Sequence, residues 1–235
     1  MSLDNETLKN IHSARGEFYA FFSRLFSNVP NNELYQMLSD ISPKLKSLAG
    51  NTENMEIKTG AEGIIDFLEK RNALSGVSLS DFDLERARHY TAMFCMPKSI
   101  PTDESVYTSP EHMERQNSHD QVIALFKKYN MWKTNKFTEN EDFIGYELLF
   151  LSKLAYDCAE FIKAGKADDY RERLQAQYDF HINHTDKWLY DFYNTVINYG
   201  IEDEILYKYF ANLARGFMRE DKLTLSEMLS VCGTD

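Results

Sequence analysis

His181 and His184 stand three residues apart, with Asp179 and Asp186 on either side. On a helix two such imidazoles would share a face, with a carboxylate in reach. A metal-dependent helical enzyme built on them is one reading, although two imidazoles and one acid fall short of the four ligands of a structural zinc site. One histidine packed and hydrogen-bonded near a helix junction accounts for the pair more simply. Other catalytic signatures are missing: the sequence has no Gly-x-Ser-x-Gly elbow, no Gly-x-Gly-x-x-Gly turn, no Walker loop and no His-Glu-x-x-His pair. The Glu-x-x-His pairs of a di-iron bundle are missing too. Cys95, Cys158 and Cys232 are odd in number and far apart, so they read as buried small hydrophobes in a reducing compartment, not as a disulfide framework.

Acids and aromatics offer a different chemistry. Most acidic pairs, such as Asp168/Asp169 and Glu202/Asp203/Glu204, suit the first turns of helices, where the macrodipole favours negative charge. Glu139-Asn140-Glu141-Asp142 differs because it leads straight into an aromatic helix face of Phe143, Tyr146 and Phe150. Concentrated negative charge beside an apolar groove suits a basic, hydrophobic peptide. Tyr90, Phe94 and Tyr107 flank or occupy a proline-bearing stretch at 95–109, where their rings could line such a groove.

The elements that must position these residues are helices. Only six valines occur, and the five prolines all precede residue 111, which disfavours sheet. Apolar stripes at helical spacing run through Ile11–Leu25, through Leu34–Leu48 with Pro43 expected to kink or split the helix, and through Ile64–Leu68 and Leu84–Phe94. Ser80 with Asp83 reads as a capping box for the last of these, and Ser109-Pro110-Glu111 as the start of the helix carrying Val122 and Phe126. Further stripes follow: Phe143, Glu147, Phe150 and Leu154, closed by Gly165; Tyr170 to His181; Trp188 to Tyr199; and Ile205 to Phe217. Thr224-Leu225-Ser226-Glu227 reads as the cap of a short last helix. The expectation is an all-α bundle of about nine or ten helices in two closely packed lobes, 1–130 and 142–235, joined by a polar hinge at 131–141.

Composition excludes several partners. Lys and Arg number 26 against 37 Asp and Glu, a net charge of −11 that repels nucleic acid and anionic membrane surfaces. The first residues lack a basic, apolar leader pattern, and no apolar run is long enough for a stable membrane span, so a cytoplasmic protein is expected.

Four segments, in order, resemble the TorD/DmsD/NarJ family of molybdoenzyme maturation chaperones. Tyr90-Thr-Ala-Met-Phe94, Pro97, Pro101 and Glu104-Ser105-Val106-Tyr107 are similar to the family's signature loop, with Cys95-Met96-Pro97 in place of its glycine-bearing turn. Glu139-Asn140-Glu141-Asp142-Phe143-Ile144 resembles its Glu-Pro-x-Asp-His-Ile motif, with asparagine for proline and Phe143 for histidine. His184-Thr-Asp-Lys-Trp188-Leu189 is similar to its His…Trp-Leu step, and Phe18–Phe26 has the character of its first helix.

The resemblance implies a TorD-like, non-enzymatic chaperone that binds the twin-arginine signal peptide of a molybdopterin-containing reductase of the DMSO or TMAO type. It would hold that precursor back from export until its cofactor is inserted. Carried over residue by residue, Glu139, Asp142 and Glu104 would meet the arginines. Tyr90, Phe94, Tyr107 and Phe143 would contact the apolar stretch, with Pro101, Ser105, His184 and Trp188 completing the site. No resident cofactor is implied beyond weak nucleotide binding, and Phe143, unable to donate, accept or titrate, tilts the site toward apolar recognition. A monomer, or a dimer swapped through the 131–141 hinge, is expected. An adaptor for a folded partner is the remaining alternative.

Overall fold

The computed structural model describes residues 4–133, 138–200 and 206–232. It is all-helical among these residues, apart from one isolated β-bridge. The helices are α1 Asn5–Ser27, α2 Asn32–Asn51, α3 Met55–Asn72, α4 Gly76–Phe94, α5 Glu104–Thr108, α6 Asn117–Lys128, α7 Ile144–Lys163, α8 Ala167–Phe180, α9 Asp186–Ile197 and α10 Leu206–Cys232. A π-helical turn, His181–Thr185, joins α8 to α9.

The chain forms two compact units. The first draws on Met1–Ser27, Thr102–Leu189 and Glu220–Asp235, the second on Asn28–Pro101 and Tyr190–Arg219. The expected lobes, 1–130 and 142–235, are therefore corrected. The 131–141 connection runs within the first unit, because α6 and α7 on either side of it belong to the same core; residues 134–137 lie outside the described residues. The chain passes between units at the 27/28 and 101/102 junctions and inside α9 and α10.

In the first unit α1 lies along α7, and small residues set their approach. Ser152 Oγ donates to the Gly16 carbonyl at 2.8 Å and Ser23 Oγ to the Gly145 carbonyl at 2.7 Å. A Cβ on Gly145 would fall 2.1 Å from Ser27 Oγ and 2.6 Å from the Phe143 ring, so only glycine fits there. Tyr19, Phe22, Phe150, Leu154 and Phe180 fill this core. In the second unit α2 packs on α3, and Leu38, Ile64, Leu68, Phe192 and Phe210 are fully or almost fully buried. Tyr90 belongs to this second core, its ring 5.2 Å from Phe94 and 5.5 Å from Tyr207.

Helix ends follow local chemistry in part. Asn31 and Asn54 cap α2 and α3 through their side-chain oxygens. Gly165, at φ 68°, closes α7 as expected; the Gly165 and Lys166 N–H groups reach the Ile162 and Phe161 carbonyls, a Schellman pair. Four expectations are corrected. Pro43 does not split α2, which runs unbroken through it with the proline on the exposed side. Ser80 lies inside α4, which begins at Gly76. Ser109 closes α5, and α6 starts only at Asn117, because His112 and Arg115 take left-handed backbone conformations (φ 50° and 56°) that a helix excludes. Thr224 caps nothing: its hydroxyl bonds back to the Glu220 carbonyl, and α10 continues to Cys232. Of the cysteines, Cys158 is buried as expected, whereas Cys95 is exposed; the Cys232 side chain lies outside the described residues.

Candidate functional site

Three of the four sequence segments meet in the first unit. Residues 102–104 pair with 142–144 in a two-rung antiparallel contact. The Glu104 N–H donates to the Asp142 carbonyl at 2.9 Å and the Ile144 N–H to the Thr102 carbonyl at 2.8 Å, with Asp103 opposite Phe143. Asp142 Oδ2 accepts the Ser105 N–H at 2.8 Å, tying the start of α5 to the segment that leads into α7. Asn140, in the position of the expected proline, adds a second clasp. Its Nδ2 donates to Asp103 Oδ2 at 2.8 Å, and its Oδ1 accepts Arg115 Nε–H at 2.8 Å.

The third segment enters from the π-helical turn and α9. His184 Nδ1–H donates to Glu104 Oε2 at 2.9 Å, and the imidazole stacks on Phe180 with centroids 4.7 Å apart. Trp188, fully buried, packs against Tyr107 at 5.2 Å and donates Nε1–H to Glu147 Oε2 at 3.0 Å. Glu104, Ser105, Asp142, Glu147 and His184 are all buried around this point. Burial first, and then the Glu104 carboxylate, push the Glu147 carboxyl well above the ordinary carboxylate range. Burial also lifts Asp103 to about 6; the Asn140 amide opposes the rise, and Asp142, Glu114 and Glu139 add to it. Two recesses open beside the cluster, of about 640 Å³ and 560 Å³, with Glu104 in the wall of one and His184 in the wall of the other.

A family model described as nitrate reductase delta subunit matches residues 58–194, more than half of the chain. The chain belongs to that family. No curated protein matches it. The delta-subunit family, of NarJ/TorD type, consists of chaperones that serve molybdoenzyme maturation, and the all-helical fold agrees with it.

For this delta-family chain, the expected site residues separate by burial. Asp142, Phe143, Ser105 and Trp188 are interior, so the contacts expected of Asp142 with the arginines and of Phe143 with the apolar stretch are corrected: they join segments together, and Glu104 and His184 are buried too, paired with each other. Phe143, at the position of the family's histidine, packs edge-on against Tyr146 at 5.8 Å. Glu139 is exposed and Tyr107 half-buried. Tyr90 and Phe94 lie in the second unit, the first in its core and the second stacked on Phe192 at 6.0 Å; Pro101 is exposed at that unit's edge of the sequence.

His181 and His184 do not converge. His181 Nε2–H donates to the Tyr19 hydroxyl at 2.9 Å, within a second buried network, while His184 faces Glu104. Among the described residues no group of three His, Cys, Asp or Glu side chains is placed to hold a metal ion. In that second network Arg15 Nη2 donates to Asp221 Oδ2 at 2.9 Å and to Gln177 Oε1 at 2.8 Å, Tyr19 OH donates to Asp221 Oδ2 at 2.6 Å, and Arg15 Nη1 donates to His12 Nδ1 at 2.8 Å.

Sequence reasoning passed over three site residues. Glu147 was visible as an acid inside an otherwise apolar stripe, a position an acid occupies only when partnered. Asn140 and Arg115 carried no such signal, since their partners lie 37 and 25 positions away.

Proposed function

We propose that this chain is a cytoplasmic chaperone that binds the twin-arginine signal peptide of a molybdopterin-containing reductase and holds the precursor back from export until cofactor insertion. The observation that carries this reading is the meeting of Glu104–Tyr107, Asn140–Phe143 and His184–Trp188 at one point of a single unit, beside two open recesses. Net charge −11 draws in a basic segment; exposed Glu111 lines the first recess, and exposed Glu139 adds its charge to that felt by Asp103. Burying ~400 Å² of apolar peptide surface at ~25 cal/mol/Å² contributes about 10 kcal/mol gross. Ordering a flexible peptide cancels much of that, which leaves an affinity suited to release.

Titration calorimetry with a synthetic twin-arginine signal peptide tests the reading. Uptake should weaken as salt rises from low to moderate ionic strength, and Glu139→Lys should lower affinity severalfold. A reductase precursor should bind far more strongly than the same reductase after signal removal. Equal binding of the two would favour an adaptor for the folded enzyme, and no uptake of any such peptide would remove the proposal.

A further inference from the structure

The two recesses are halves of one groove. Gln121 on α6 and Asn183 in the π-helical turn line both of them, and the buried Glu104–His184 hydrogen bond joins the wall of the first to the wall of the second. The halves differ in character. The first is lined by exposed Glu111, by Ser109, Asn117 and Ser118, and by buried Glu104, whose carboxylate is bonded to His184; Lys187 is the one ammonium among its lining residues. The second is walled by Ala124, Leu125, Tyr129, Ala176 and Phe180. Lys128, also in its wall, lies over the Tyr129 ring at 4.8 Å and 3.6 Å from Glu172, and Asp179 lines the recess as well.

Resting on the signal-peptide reading, we propose that this groove holds the junction of the peptide, with its basic residues in the first recess and the start of its apolar stretch in the second. Both recesses follow α6, from Asn117 to Tyr129. At 1.5 Å per helical residue that path is about 18 Å, room for about five residues of extended peptide at ~3.3 Å each. Gln121 and Asn183, at the waist, each offer one amide donor pair and one carbonyl acceptor, the complement of a peptide unit, so they suit main-chain recognition of an extended segment. Polarity fixes which half takes which part: the acidic, hydroxyl- and amide-lined half takes the basic residues and the apolar half the apolar ones. A scrambled peptide of the same composition, with its arginines inside the apolar stretch, would place arginine against Phe180 and Leu125.

Fluorescence anisotropy of the full chain with a labelled peptide carrying two arginines followed by an apolar stretch provides the test. Ala124→Arg, an exposed position on α6, fills the second recess and should weaken binding about tenfold or more. Glu111→Lys should weaken it about tenfold for this peptide and less than about twofold for a version with both arginines replaced by glutamine. A scrambled peptide of the same composition, with its arginines inside the apolar stretch, should bind at least about tenfold more weakly than the forward one, in which they lead it. Circular dichroism confirms that both variants are folded. If the wild-type chain binds the forward peptide and both variants bind it equally well, the groove assignment is overturned while the chaperone reading stands. If the wild-type chain binds neither peptide, the chaperone reading itself fails and the assignment goes with it.

Discussion

Glu147 shows how a single side chain can serve the site without touching a partner. It is fully buried beside Glu104, and burial keeps its carboxyl in the neutral form to higher pH than an ordinary glutamate. Its Oε2 is the acceptor for Trp188 Nε1–H, and Trp188 in turn supports Tyr107. If the acceptor oxygen matters and the charge does not, Glu147→Gln should leave stability within about 1 kcal/mol of wild type, because the amide carbonyl still accepts the indole N–H. Glu147→Ala should cost about 2–4 kcal/mol, from the unpaired indole N–H together with the cavity. Urea unfolding of the two variants distinguishes these outcomes, and a glutamine variant as unstable as the alanine one would show that the carboxyl does something else. The same residue marks the reach of sequence reasoning at this scale. An acid on an apolar stripe announces a buried partner, but nothing in the spacing says that the partner is a tryptophan 41 positions away.

At the scale of elements, local signals succeeded where backbone geometry alone decides and failed where packing does. Gly165 ends α7 because a left-handed residue is needed there, whatever lies around it. Thr224 resembles a cap, yet α10 runs through it because Leu225 beyond it is buried against Cys158, Tyr170 and Leu174. Ser109 likewise yields to the loop that carries Arg115 to Asn140. The helix class and the order of the motif segments were therefore readable, and the exact starts of α4 and α6 were not. Packing also gives two glycines opposite values. A Cβ on Gly60 of α3 would lie 2.5 Å from the Leu213 backbone nitrogen of α10, whereas one on Gly50 of α2 meets nothing within 4 Å. Gly50→Ala should stabilise by about 0.4–1 kcal/mol through the unfolded chain. Gly60→Ala should destabilise by about 1–3 kcal/mol despite alanine's better helix propensity. Thermal melts of both variants check the pair, and equal shifts would contradict the close approach of α3 and α10.

Over the whole molecule, the division into two units was out of reach of the sequence because each unit is assembled from distant segments; Arg15 and Asp221, paired in the first unit, are 206 positions apart. That network and the motif cluster should pull the stability of the chain in opposite directions as pH falls. Burial first, and then Arg15, lower His12 from 6.5 to about 3, so the folded state stays neutral there while the unfolded chain takes up a proton. Between pH 7 and pH 5 this group costs about 2 kcal/mol of stability. Asp103 acts the other way. Its carboxyl rises from 3.8 to about 6, so the folded state binds the proton first, and stability grows by about 1.3 kcal/mol over the same interval. From these two groups alone, the wild-type chain should lose under about 1 kcal/mol between pH 7 and pH 5. His12→Gln removes the loss, so that variant should become more stable at pH 5 than at pH 7. Asp103→Asn removes the gain and, with the Asn140 contact kept by its amide oxygen, should lose about 2 kcal/mol. Urea midpoints at the two pH values decide the matter: parallel pH dependence in all three proteins would mean that neither buried group carries the proton linkage assigned to it.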